Sequence, residues 1–141
     1  MSDLERAIAL AVEAHRGQLD KYGRPYILHP LTLMMKMEGE TAMMAAVLHD
    51  VVEDTTLTLG DLIKEGFPAD VVEAVDSLSK RESESYEGYI DRLSANPLAV
   101  KVKRADLEDN MRVTRMKDVT DKDLVRLAKY LRAWQKLAQT K

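Results

Sequence analysis

Two polar pairs, one imidazole and three carboxyl groups in all, interrupt an otherwise apolar run in the segment AAVLHDVVEDT: His49 with Asp50, then Glu53 with Asp54. Imidazoles and carboxylates are the side chains that hold divalent cations and move protons near neutral pH. Beside Val47, Leu48, Val51 and Val52 such groups are costly to bury alone, so they must face water or meet a cation. On a continuous helix His49 stacks on Glu53 and Asp50 on Asp54, four residues apart. The second pair repels by about 0.2–0.5 kcal/mol in an exposed helix when both are ionised, and a nearby cation reverses that sign.

A second polar group lies in VKVKRADLEDNM, Val100 to Met111. Leu98, Val102, Asp106 and Asn110 follow helical spacing, so Asp106 and Asn110 continue a face on which two apolar residues are buried. Asp106 therefore needs a partner. Lys103 or Arg104 would serve, and so would a metal shared with His49 and Asp50. Glu108 points elsewhere and reads as solvated. The chain has three histidines. His15 lies on the apolar face of its helix, as a satisfied core or supporting histidine would. His29, just before Pro30, suits either a helix entry or a ligand.

The elements that must position these groups are helices. Leu4, Ile8, Ala11 and His15 share one face of a first helix, capped by Ser2 or Asp3 and ended by Gly17. Residues 18–29, with Gly23 and Pro25, form a loop. A second helix opens at Pro30 and ends before Gly39, and a third runs from Glu40 through Val52. Thr58 to Glu65 is a short helix stopped by Gly66, and Pro68 opens another carrying Val71, Val72, Val75 and Leu78. KRESES is a loop, Tyr86 to Leu93 a helix, and Pro97 begins the helix that carries Asp106. In the last helix Leu124, Leu127, Leu131, Trp134 and Leu137 form a stripe that reads as core. Met34, Met35, Met37, Met43 and Met44 read as packing. The expectation is an all-α, single-domain helical bundle spanning residues 1–141.

Composition narrows the partners. The 141 residues are 45% hydrophobic and 32% charged, ordinary for a globular domain, and the net charge of -3 argues against bulk nucleic-acid binding. Without cysteine there is no disulfide, thiolate nucleophile or cysteine-ligated zinc. No apolar run is long enough to span a bilayer and no signal-peptide pattern opens the chain, so a cytoplasmic protein is expected. Oligomeric state is not legible.

Three motifs in order, HRGQLDKYGRPYILHP (His15–Pro30), LHDVVEDT (Leu48–Thr55) and VKRADLEDNMR (Val102–Arg112), carry a resemblance to a known family. They are similar to the hydrolase domain of RelA/SpoT-type alarmone enzymes, within the HD phosphohydrolase superfamily. The resemblance implies an HD-type bundle and a metal, usually manganese, held by His29, His49, Asp50 and Asp106. Two imidazoles and two carboxylates suit a borderline divalent ion better than magnesium. It further implies that Glu53 and Asp54 position and deprotonate the attacking water. Lys21, Asn110 and Arg112 match positions near the substrate. The implied reaction removes the 3′-pyrophosphate of guanosine tetra- or pentaphosphate, by a stand-alone hydrolase with no synthetase and no GxxxxGK loop.

Two positions depart from the family pattern, and both concern the base. Asp20 stands where an arginine usually packs on guanine, and Val113 where a threonine is common. The expected metal ligands are intact. The resemblance therefore implies a phosphorylated nucleotide more firmly than guanine. An HD phosphatase acting on ppApp, NADPH or a 5′-nucleotide stays open, with Tyr22 or Arg24 as replacement base contacts. A non-catalytic nucleotide-binding module is a third reading, disfavoured by the intact Glu53-Asp54 pair.

Overall fold

The computed structural model describes residues 3–139, which form nine α-helices and one 3-10 turn. The helices are α1 (Asp3–Ala14), α2 (Leu28–Met35), α3 (Glu40–Leu48), α4 (Val51–Asp54), α5 (Leu59–Lys64), α6 (Ala69–Leu78), α7 (Tyr86–Leu93), α8 (Pro97–Asn110) and α9 (Asp121–Ala138). The 3-10 turn covers Val113–Arg115. Among the described residues there is no strand; a single antiparallel bridge, Leu19 to Pro25, pinches the loop after α1. The all-α expectation holds. Ser2 lies outside the described residues, and Asp3 is the first residue of α1.

α3 is the axis of the core. Ala45, Ala46, Val47 and Leu48 are fully buried, and α1, α2, α6 and α8 pack around it. The small side chains of Ala45 and Ala46 let these neighbours approach closely, while Leu33, Val71, Val75 and Val102 fill the remaining space. α8 is fixed at its start: Asn96 accepts a hydrogen bond from Ala99 N–H at 3.1 Å and Pro97 occupies the first turn. Its inward face carries Ala99, Val102, Ala105, Asp106 and Asp109 against the core.

Two sequence expectations change. The third helix does not run through Val52; it stops at Leu48, and α4 begins at Val51. In an unbroken helix Ala46 C=O would accept from Asp50 N–H. Here His49 Nδ1 takes that carbonyl at 2.8 Å, and Asp50 sits at φ -107°, ψ -2°. The stacking of His49 on Glu53 therefore does not form as an ideal helix would give it. The second change is in α9, whose stripe is only partly core: Leu137 is fully buried, while Leu124 is 56% exposed and Leu131 46%. α9 packs mainly on α8 and α7, and the Leu124 and Leu131 part of the stripe stays open. Among the methionines, Met34 and Met44 are buried, Met37 and Met43 pack at the core's edge, and Met35 is exposed.

Candidate active site

The loop after α1, the start of α2, the α3–α4 break and the inward face of α8 meet at one cavity of about 510 Å³. Its wall includes His29, Asp50, Glu53, Asp54, Asp106 and Asn110. His29, His49 and Asp106 each place a ligating atom so that all three lie within 4.8 Å of one another, the spacing of a shared cation site.

His49 is prepared for that role by its fold position. Its Nδ1 faces the Ala46 carbonyl, so the donor proton belongs on Nδ1 and the Nε2 lone pair points at the cluster. Nε2 is buried, 2.9 Å from Asp50 Oδ2 and 3.8 Å from Asp106 Oδ1, and forms no well-aligned hydrogen bond. An orphaned, fully buried imidazole nitrogen facing carboxylates fits a metal ligand. His29 is arranged alike: Nδ1 meets Asp109 Oδ2 at 2.6 Å and Nε2 meets Asp106 Oδ1 at 2.8 Å. Asp109 thus orients His29 as carboxylates orient ligating histidines elsewhere.

Asp50 stands beside this triad. One of its oxygens faces His49 Nε2 and accepts a hydrogen bond from Tyr26 Oη. Asp106 divides its two oxygens: Oδ1 receives His29 and the Asn110 amide at 3.0 Å, while Oδ2 receives Lys103 Nζ at 2.9 Å. Lys103 was one of two partners expected for Asp106; the other, Arg104, lies over the Trp134 ring at 5.3 Å. Glu108 is exposed, as expected.

The electrostatics favour cations. Burial alone would lower the His29 pKa, yet its hydrogen bonds to Asp106 and Asp109 hold it at about 8. His49 is likewise pulled down by burial and raised well above its ordinary value by Asp50 and Asp106. A field that retains two imidazole protons also favours a divalent ion, which would bind with their release. Glu53 and Asp54 sit at the cavity's exposed rim. Partial burial, followed by the charge of Asp50, pushes both carboxyls up. Glu53 is steadied by Lys80 N–H, which donates to Oε1 at 2.9 Å.

The chain's match to the HD domain family model runs over residues 7–140. The chain belongs to the HD domain family. Among curated relatives, this HD domain is 34% identical over 123 residues to a guanosine-3′,5′-bis(diphosphate) 3′-pyrophosphohydrolase of Aquifex aeolicus, covering 78% of the chain and 17% of the relative. It is 36% identical over 119 residues to the enzyme of the same name from Haemophilus influenzae, covering 73% and 17%. It is 34% identical over 125 residues to the bifunctional (p)ppGpp synthase/hydrolase SpoT of Escherichia coli, covering 77% and 18%. The chain thus spans less than a fifth of the length of these relatives. A solved structure described as a metazoan ortholog of SpoT that hydrolyzes ppGpp superposes with a TM-score of 0.81 at 23% identity, covering all of this chain and 88% of that one. That likeness speaks for the fold.

The substrate-side expectations separate within this HD domain. Lys21 and Asn110 line the cavity; Arg112 does not, but reaches Asp109 Oδ1 at 3.5 Å from a half-exposed position. Arg115 and Arg126, which sequence reasoning did not single out, do line it, with Tyr22 and Tyr130. Asp20 turns its Oδ1 inward on its own loop, accepting from Tyr22 N–H at 2.8 Å and Arg24 N–H at 3.0 Å. Burial raises its pKa, and these two backbone bonds overcome that to lower it. Of Tyr22 and Arg24, the two residues weighed as replacement base contacts, Tyr22 borders the cavity, with the Arg115 guanidinium 5.7 Å from its ring centre. Tyr26 and Asp109 were also missed. Asp109 was signalled by its place three residues after Asp106, on the same helix face.

Proposed function

We propose that residues 1–141 act as one metal-dependent phosphohydrolase domain. It would remove the 3′-pyrophosphate of (p)ppGpp-like nucleotides to give GDP or GTP plus pyrophosphate. The observation that carries this reading is the histidine geometry. His49 commits Nδ1 to a backbone carbonyl, His29 commits Nδ1 to Asp109, and both turn Nε2 toward Asp106. The names of the curated relatives support the substrate class.

His29, His49, Asp50 and Asp106 would hold the ion, and this nitrogen–oxygen donor set suits Mn2+. A divalent ion there supplies charge that polarises the phosphoryl oxygens and lowers the pKa of water. The chain's own groups do the rest. Glu53, tethered by Lys80 N–H, takes the proton of the attacking water, and its raised pKa brings it closer to the working range of a general base. Water adds to the phosphorus attached to ribose O3′, the P–O3′ bond breaks, and O3′ departs as a hydroxyl after gaining a proton. Asp54, within reach of Tyr26 Oη at 3.5 Å, shares the acid–base work. Lys21, Asn110 and Arg112 are the proposed substrate contacts, with Lys21 and Asn110 already at the cavity wall. A free nucleotide substrate, neither nucleic acid nor lipid, suits a cytoplasmic enzyme, and no described helix is long and apolar enough to cross a membrane.

A second reading keeps the site and changes the nucleotide. Asp20 is a carboxylate tied into its own turn, so it cannot supply the cationic face that an arginine there would give a guanine. The test is to incubate Mn2+-loaded protein with ppGpp, ppApp, NADPH and deoxynucleoside monophosphates, following pyrophosphate and orthophosphate separately. Pyrophosphate released from ppGpp is the expected result. Orthophosphate from NADPH or a monophosphate, with ppGpp untouched, overturns the lead in favour of the second reading.

A further inference from the structure

Lys103 is the one lysine of the cavity wall that is withdrawn from solvent; its side chain is 12% exposed, whereas Lys21 is an exposed residue. A buried ammonium is costly unless paired and hydrogen-bonded. Its seat is built by three elements. On α8 it lies one turn before Asp106 and donates to Oδ2 at 2.9 Å. From α7, the Tyr89 ring lies beneath Nζ at 5.2 Å, a cation–π distance. Tyr89 is itself locked, its Oη donating to Leu78 C=O at the end of α6 at 2.8 Å. Burial alone would lower the Lys103 pKa, but the Asp106 carboxylate outweighs it and holds the group well above the ordinary lysine value.

The consequence falls on Asp106. Its Oδ1 takes His29 and Asn110 and faces His49, while Oδ2 is occupied by Lys103. We propose that Lys103 is a positioning residue that makes Asp106 a one-oxygen ligand, leaving coordination positions open for water and phosphate. This rests on the reading of the His29–His49–Asp106 cluster as a divalent-metal centre. A lysine suits the task because its four-carbon stem can lie among apolar groups while a compact charge with three donors reaches one carboxylate oxygen. Replaced by an uncharged side chain, Oδ2 becomes free to turn toward the ion, and the site gains one net negative charge. Affinity for the ion should then hold or rise while turnover falls.

The test compares wild type with Lys103→Met and Lys103→Gln, all loaded with Mn2+. Free Mn2+ is followed by electron paramagnetic resonance, exchanging waters by water-proton relaxation, and folding by thermal melting. Both variants are expected to bind Mn2+ as tightly as wild type or up to about tenfold more tightly, since a like charge has been removed. They should lose about one exchanging water and show kcat lowered roughly 100-fold with KM little changed. A loss of Mn2+ affinity in step with melting temperature, in both variants, would mark Lys103 as packing only and overturn the inference. An unchanged water count with normal Mn2+ uptake overturns it as well, leaving the metal reading intact. A wild-type protein that takes up no Mn2+ overturns the metal reading itself.

Discussion

Two charge networks face one another across the segment after α6, and they are built on opposite principles. In the outer one, Arg92 forks onto both Glu84 oxygens at 2.7 and 3.0 Å and donates to Ser79 C=O at 2.9 Å. Arg81 joins Asp76 at 2.7 Å and the same carbonyl at 2.6 Å. Two guanidinium groups meet two carboxylates and every charge is answered. In the inner network five carboxylates, Asp50, Glu53, Asp54, Asp106 and Asp109, outnumber the permanent cations Lys103, Arg112 and Arg115, and the balance falls to the exchangeable protons of His29 and His49. His49 Nε2 is left without a well-formed partner. Permanently matched charge staples a loop; charge balanced only by exchangeable imidazole protons is what a cation can take over. The two meet at Lys80, whose N–H, in the stapled loop, holds Glu53.

Removing a member of the inner set should have the largest effect. His49→Ala is expected to lower Mn2+ affinity more than about 100-fold, beyond the range for supporting residues, when measured by titration of the purified protein. Glu53→Gln should act differently: Mn2+ affinity stays near wild type while kcat falls about 100- to 10,000-fold, the usual weight of a general base. Unchanged turnover would remove Glu53 from that role. Asp109→Asn comes next. It keeps a hydrogen-bond acceptor for His29 Nδ1 but loses the charge, so Mn2+ affinity should fall about 10- to 100-fold. Equal affinity for wild type and Asp109→Asn would mean that backbone packing alone orients His29.

Much of this architecture is legible from local chemistry. α7 runs from Tyr86 to Leu93 as the apolar pattern requires, and Pro97 and Gly17 mark the ends they were expected to mark. The break at His49 was not legible, because the apolar run from Ala45 to Val52 shows no interruption. What breaks it is a side chain taking the Ala46 carbonyl, which no periodicity records. The exposure of Leu124 and Leu131 was hidden for a similar reason, since a stripe says which face is apolar and not whether a neighbour covers it. At the site, the types and spacing of His49 and Asp106 pointed to a shared cation, and the fold brings them together with His29. Tyr26 depends on a contact with a segment distant in sequence, as does the Asp109 bond to His29, and Arg115 reaches Asp109 only through the turn after α8, so the fold is what assigns them.

The smallest expected effect tests the stapled side of the comparison. The Arg92 hydrogen bonds, followed by the Arg81 N–H, lower the Glu84 pKa from 4.5 to about 2. A carboxyl whose folded pKa is depressed stabilises the fold above its unfolded value and loses that contribution as pH falls through the folded one. Glu84→Gln should therefore melt a few degrees below wild type near neutral pH, in keeping with a paired surface carboxylate in a domain of this size. The gap should narrow as pH falls from about 4.5 toward 2, since only wild type loses stability there through this group. Mn2+ affinity should be unaffected across the range where both proteins are folded. A gap that persists at low pH would mean that Glu84 acts through shape rather than charge. A fall in Mn2+ affinity would mean that the two networks are joined more tightly than the single Lys80 to Glu53 bond implies.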